Sequence, residues 1–281
     1  MKIVQMLFPE GKSKAFTMSY DDGVIQDRRL VAMMNQYGIK GTFNLNAGFL
    51  GRCERAVIDG IDTDITKIQK EEVTTLYQNH EVANHGFTHL KVTDVGPEVV
   101  ANQIIEDRKV LESLTDYICQ GFAYPFGCYN DEAITTLKAC GLVYARTVVN
   151  TGTFDLPEDF MKWHPTCHHN DERLMMLAKD FCKNEGLFGS PRLFYLWGHS
   201  YEFDQRDNWE VIEELLGYIK DYKDNVWFAT NGEIYQYVTS FKQLIYSVDG
   251  SKVMNPSSRD IYISVDGICY TIPSGKTIQL T

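Results

Sequence analysis

The chain has no CxxC pair, although it contains seven cysteines. They stand at 53, 119, 128, 140, 167, 182 and 269, an odd and scattered set that points to reduced thiols and not to a disulfide framework. No apolar run approaches the roughly 20 residues that a bilayer crossing needs. The opening stretch, Met1-Lys2-Ile3-Val4-Gln5-Met6-Leu7-Phe8-Pro9, is too short and too interrupted for the apolar region of a signal peptide. Basic residues are in deficit: the formal charge is −11, which argues against nucleic acid or an anionic membrane as partner, because phosphate binding needs basic patches. There is no internal repeat and no low-complexity tract. These absences predict a soluble cytoplasmic protein. What is present is core-forming material, with 44% apolar and 12% aromatic residues in 281, enough for one large domain or two small ones.

From residue 13 to about 240, short strand-like runs alternate with amphipathic helical spacing. Strands are expected at Ala15–Tyr20, Gly41–Asn46, Glu81–Asn84, Gly121–Tyr124, Leu142–Val148, Leu193–Trp197 and Val226–Ala229. Helices are expected at Asp27–Tyr37 (closed by Gly38), Lys70–Asn79, Pro97–Leu114, Asn130–Cys140, Asn170–Lys183, Trp209–Lys220 and Asn231–Ser240. About seven β/α repeats imply a parallel sheet, either closed into a barrel or doubly wound. The stretches 47–68 and 149–169 lack regular pattern, and loops of that length usually serve function. After about residue 242 the pattern changes to short strands with the turn signals Asp249-Gly250, Asp266-Gly267 and Ser274-Gly275. The expected organisation is a catalytic domain over 1–241 and a small antiparallel β appendage over 242–281. The appendage could cap the barrel, extend a groove or pair with a second copy through a hairpin edge, which leaves a homo-oligomer open.

In a parallel α/β fold the residues following each strand gather at one face. Four such stretches carry unusual polar residues: Asp21-Asp22-Gly23; His85-Gly86-Phe87-Thr88-His89; Ala123-Tyr124-Pro125-Phe126-Gly127; and Leu196-Trp197-Gly198-His199. Two adjacent acids at the end of an apolar strand make either a turn or a metal-and-base pair. His85 and His89 lie four apart, so on one helical turn both rings face one way. That spacing is weak alone, since His164 and His168 share it beside Cys167 and His169. Pro165 interrupts the second pair, which reads as a loop packed at the rim of the site. The first pair gains weight from Asp22 at an earlier strand end, because two imidazoles and a carboxylate make a zinc site with an open position. A cation beside Asp22 would also offset the repulsion between the two acids.

In this order the four stretches resemble the motifs of the polysaccharide deacetylases, the chitooligosaccharide (NodB-homology) deacetylases of carbohydrate esterase family four. The resemblance covers roughly residues 13–240 and implies a distorted (β/α)7 barrel. It implies Asp21 as catalytic base, Asp22, His85 and His89 as ligands of one divalent metal, the Phe126 amide as oxyanion donor and His199 as general acid. Zinc is the expected metal; cobalt, nickel and manganese suit the same donors. Tyr124, Pro125, Trp197 and Trp163 are expected to wall the substrate groove.

Three departures stand out. The third-motif Arg is Ala123, and Arg146 near the end of the following strand is expected to steady the base instead. The fifth-motif Leu is Trp197, which reshapes the acyl pocket. The fourth motif is not recognisable, leaving Asp155 or Asp159 as candidates to orient His199. The implied reaction is metal-assisted hydrolysis of an N-acetyl or O-acetyl group on a carbohydrate. The alternatives are a deacylase acting on a small non-sugar amide or imide, and an inactive sugar-binding module.

Overall fold

The computed structural model describes residues 3–280. The chain begins with a short strand, β1 (Val4–Leu7), then enters β2 (Lys14–Asp21), in which all eight residues are buried. Burial on both faces is why β2 reads as a continuous apolar run rather than an alternating one. Helix α1 (Asp27–Tyr37) follows, closed by Gly38 in the left-handed region at φ 67°. Next come β3 (Thr42–Leu45), a hairpin of β4 (Arg55–Ile58) and β5 (Ile61–Asp64), a single-turn α2 (Val73–Leu76) and β6 (Glu81–Asn84). Helix α3 (Pro97–Leu114) starts on proline and buries Val100, Ile104, Asp107 and Leu111, one stripe at helical spacing. The barrel continues through β7 (Gly121–Ala123), α4 (Asp131–Ala139), β8 (Tyr144–Arg146), β9 (Cys167–His168), α5 (Leu174–Lys183) and β10 (Arg192–Gly198). It ends with α6 (Tyr201–Arg206), α7 (Trp209–Ile219), β11 (Val226–Phe228) and α8 (Asn231–Lys242).

The parallel strands run in the order β8-β7-β6-β3-β2-β10-β9. Segment 163–168 closes the ring: Trp163 N donates to Ala145 O (3.0 Å) beside β8, and Thr166 N donates to Tyr195 O (2.8 Å) on β10. The barrel is distorted because one edge of β2 is shared, by β11 along Lys14–Phe16 and by β3 along Ser19–Asp21. With β11 the sheet has eight strands, seven of them along the ring, which is the distorted deacetylase-type barrel expected from the motifs.

The tail forms β12 (Ile245–Tyr246), β13 (Lys252–Met254), β14 (Ile261–Val265), β15 (Ile268–Ile272) and β16 (Thr277–Gln279). Two small antiparallel sheets result, β12-β13-β16 and β1-β14-β15, so the N-terminal strand joins the tail. Val253, Ile261, Ile263, Ile272 and Leu280 share a core with Met6, Phe8, Ala15, Leu193 and Tyr237. The tail therefore covers the N-terminal ends of β2 and β10, opposite the strand ends that carry the motifs. Among the described residues no helix is long and apolar enough to cross a membrane.

Candidate metal centre

Asp21 ends β2, and Asp22 takes the next position at φ 79°, its amide donating to Asn44 O (2.9 Å). The left-handed turn sends the two carboxylates in different directions. Asp22 Oδ1 lies 3.9 Å from His85 Nε2 and 3.8 Å from His89 Nε2. Three donor atoms, one from each residue, lie within 4.8 Å of one another, a cup of the size a tetrahedral dication fills at about 2.0–2.2 Å per ligand. Each of the two adjacent acids thus has its own cation. Arg146 Nη2 hydrogen-bonds Asp21 Oδ2, and Lys67 Nζ stands 3.9 Å from Asp22 Oδ1.

Backbone contacts set the imidazole of His85. Its Nδ1 lies 2.8 Å from the carbonyl oxygen of Ala123, which can only accept, so the hydrogen is on Nδ1 and the Nε2 lone pair faces the cup. Burial pushes the His85 pKa down, and burial and then His85 bring that of His89 to about 4, so both rings are held neutral, the form a metal would need. Asp107 on α3 holds this loop by accepting from Ala47 N (2.6 Å) and His85 N (3.2 Å). Of the eight non-glycine residues with positive φ among those described, Asp22, His89 and Phe126 belong to this site. Such strain persists only where surrounding contacts enforce it.

Asp21 is held from both oxygens, by Arg146 on Oδ2 and by Asn44 Nδ2 (2.8 Å) on Oδ1. Burial pushes its pKa up, but Arg146, His85 and His199 outweigh burial and keep the carboxylate below its usual range. Arg146 is wholly buried, with its guanidinium 4.6 Å above the Trp197 ring. The expected substitution of Arg146 for the third-motif Arg thus has the contact it requires. His199 Nε2 lies 3.9 Å from Asp21 Oδ2 on the other flank.

The partner of His199 is a residue sequence reasoning missed. Asp155 and Asp159 are exposed in the 149–169 loop, and Asp159 instead caps Met161 N (2.9 Å). Glu202 Oε1 lies 2.8 Å from His199 Nδ1. Its other oxygen gathers Asn170 Nδ2 (2.6 Å), His169 Nε2 (3.1 Å) and His168 Nε2 (3.4 Å). Burial pushes the Glu202 pKa up, yet the three imidazoles outweigh it and hold the carboxyl well below its ordinary range. Burial lowers the His199 pKa, but Glu202, Asp22 and Asp21 outweigh it and raise it to about 9. His168 and His169, expected in a rim loop, are therefore part of the machinery that holds His199; His164 instead pairs its Nδ1 with Thr147 Oγ1 (2.6 Å).

The predicted groove walls need correction. Tyr124 is 1% exposed and its hydroxyl donates to Met161 O (2.9 Å), while Pro125 is buried beside it. Trp163 is also 1% exposed, edge-on to Tyr144, Phe160 and Tyr195 in the core, because it is the stave that closes the barrel. All three are closed off from solvent in the core. Trp197 is mostly covered by Arg146 and His168, with Nε1 donating to Asn150 Oδ1 (2.7 Å). The aromatics left at the mouth are Phe126, 63% exposed with its ring 4.6 Å from that of His89, and Tyr201, whose ring lies 5.2 Å from that of His199. A cavity of about 780 Å³ lined by His80, Glu81, Tyr117 and Tyr144 contains none of the motif residues.

Known proteins resemble this chain in sequence over part of its length and in fold over most of it. Residues 9–145 match the family model for polysaccharide deacetylase, so the resemblance read from the motifs is borne out over the stretch holding Asp21, Asp22, His85, His89 and Phe126. Among solved structures, a putative polysaccharide deacetylase from Mycobacterium smegmatis is 14% identical over 86% of this chain and 96% of its own, with a TM-score of 0.60. A family 4 acetyl xylan esterase from Clostridium thermocellum, in complex with a cobalt ion, is 13% identical over 79% and 90%, with a TM-score of 0.50. A pseudoenzyme of carbohydrate esterase family 4 from Bacillus anthracis is 16% identical over 82% and 68%, with a TM-score of 0.51. At such identities these likenesses show the fold.

Proposed function

We propose, from the polysaccharide deacetylase sequence that residues 9–145 match, that the chain is a metal-dependent hydrolase removing acetyl groups from a carbohydrate. One of the similar folds belongs to a pseudoenzyme, so the fold does not decide activity and the site must. The observation that carries the reading is the convergence of the Asp22, His85 and His89 donors between a buried, cation-held Asp21 and a carboxylate-held His199. A sugar-binding module would need neither flank.

Asp22, His85 and His89 would hold a divalent metal, for which the donor set and the tautomer of His85 are suited. Such an ion supplies Lewis acidity, polarising an acyl carbonyl and acidifying water. The remaining work falls to the chain. Arg146 and Asn44 fix Asp21 in its ionised form, aimed by its own Oδ2 toward the cup, where it takes the proton of the attacking water. His199, charged below about pH 9, keeps one hydrogen on Nδ1 toward Glu202 and offers the other from Nε2 to the departing amine or alcohol. Phe126, in its left-handed turn, shields the His89 side from bulk water. Metal content together with acetate release from chitooligosaccharides and acetylxylan tests the reading. Asp21→Asn should lower turnover about 10²–10⁴-fold while metal still binds. Wild-type rates in that variant would refute the assigned base.

A further inference from the structure

Lys67 lies in the 47–68 stretch and has no part in the reaction just described. Its side chain is 6% exposed, yet its only charged contact among the described residues is Asp22 Oδ1 at 3.9 Å. No hydrogen bond joins its ammonium to an acceptor among those residues, and Nζ is not among the buried polar atoms, so the charged tip keeps access to solvent at the rim of the cup. The position is enforced by the backbone. Ile25 N donates to Thr66 O (2.9 Å), Ile68 N to Gly23 O (2.9 Å) and Lys67 N to Arg52 O (2.9 Å), so residues 66–68 pair with the turn that follows Asp22. Lys67 also bridges Val24 in antiparallel register. The nearby buried carboxyl of Asp27 does not take it up, being occupied by Tyr77 Oη (2.6 Å) and Ser200 Oγ (2.5 Å).

Charge counting gives the consequence. Asp21 and Asp22 are balanced by Arg146 and Lys67 when the cup is empty of metal. A dication in the cup leaves two positive charges over, inside a chain whose overall charge is −11. The dication then competes with Lys67 for Asp22, and the ammonium, held at the rim of the cup by its backbone, is available to an anionic group entering there. Resting on the hydrolase reading, we infer that Lys67 is a specificity-determining residue: its ammonium selects a substrate bearing an anionic oxygen group, carboxylate or phosphate, next to the scissile acyl group. A compact, strongly hydrated ammonium suits such a single anionic oxygen.

The test uses the full chain loaded with cobalt, as wild type, Lys67→Met and Lys67→Arg, titrated with acetate, inorganic phosphate and the neutral isostere acetamide while the visible spectrum is followed. Lys67→Met should bind cobalt as tightly as wild type or more tightly, since a cation is removed from beside the ligand set. Its affinity for acetate or phosphate should fall about tenfold, the worth of one charge-assisted hydrogen bond, with acetamide affected less and Lys67→Arg recovering most of the loss. The anion with the larger change identifies the group. Weaker cobalt binding in Lys67→Met would make the residue a support for Asp22 and overturn the inference, as would unchanged affinity for both anions. A wild-type protein that takes up no metal overturns the hydrolase reading and this inference together; normal uptake with unchanged anion affinity overturns this inference alone.

Discussion

The molecule contains two clusters of two histidines and one carboxylate, Asp22-His85-His89 and His168-His169-Glu202, and in each the donor atoms lie within 4.8 Å of one another. By residue type they are the same site twice. A single backbone contact separates them. His85 Nδ1 faces a carbonyl oxygen, Ala123 O, and must donate, which leaves Nε2 with a lone pair toward Asp22. His168 Nδ1 faces an amide, Asn170 N at 3.1 Å, and must accept, which puts the ring hydrogen on Nε2, toward Glu202. The first cluster offers lone pairs to a cation. The second offers hydrogens to an anion. Counting His and Glu residues therefore says less about metal binding than asking what the other ring nitrogen touches.

The most severe way to break this contrast is to measure metal in variants of each cluster. His85→Ala should empty the cup and cost several kcal/mol of transition-state stabilisation, a turnover loss of about 10³-fold or more. His168→Ala should retain one metal per chain by elemental analysis. Two metals in the wild type, or metal lost from the His168 variant, would make the second cluster a metal centre after all.

A smaller effect sharpens the role of the second cluster. The raised pKa of His199 means its acid form is complete at neutral pH and is lost as pH rises through the folded value, at about 9 and lower once a dication shares Asp22. Glu202→Gln keeps an oxygen to accept from Nδ1 but removes the negative charge. The alkaline limb of the rate profile should then move to lower pH by about one unit or more, each unit being worth about 1.4 kcal/mol, with metal stoichiometry unaltered. An unmoved limb would show that Glu202 aligns His199 without tuning it.

These two clusters also show where sequence reading succeeds. The strand ends were legible because β2 is a run of buried residues, and α3 because Val100, Ile104, Asp107 and Leu111 repeat at one helical period; both signals are local. Asp22, His85 and His89 were legible because each follows a strand. Glu202 was not, since it sits on α6, a six-residue helix without a sequence signature, among the acids Asp204 and Asp207, where it passes for a solvated face. Lys67 lies in a loop without periodicity, and its neighbour Asp22 is brought to it by pairing that no local pattern announces. Trp163 and Tyr124 failed as groove walls for a further reason: whether a ring faces ligand or core depends on how 163–168 closes the barrel. The pairing of β1 with β14 joins Val4 to Val265, a separation no local signal spans.

The gentlest test lies at Gly198, which packs against His169 of the second cluster. A methyl group there would come within 2.0 Å of His169 Nδ1. His169 cannot swing aside, because its ring is stacked between Tyr20, 5.7 Å away, and Phe203, 4.2 Å away. The added carbon therefore shifts the ring in its own plane and disturbs its 3.1 Å approach to Glu202. Gly198→Ala should cost about 1–3 kcal/mol in urea unfolding, the usual range for overpacking a filled site. The alkaline limb should shift less than in Glu202→Gln, because His168 and Asn170 still hold the carboxylate, and the metal count should stay at one. If Gly198→Ala unfolds at the wild-type urea midpoint with an unchanged pH profile, His169 is packing material and the clamp on Glu202 consists of His168 and Asn170 alone.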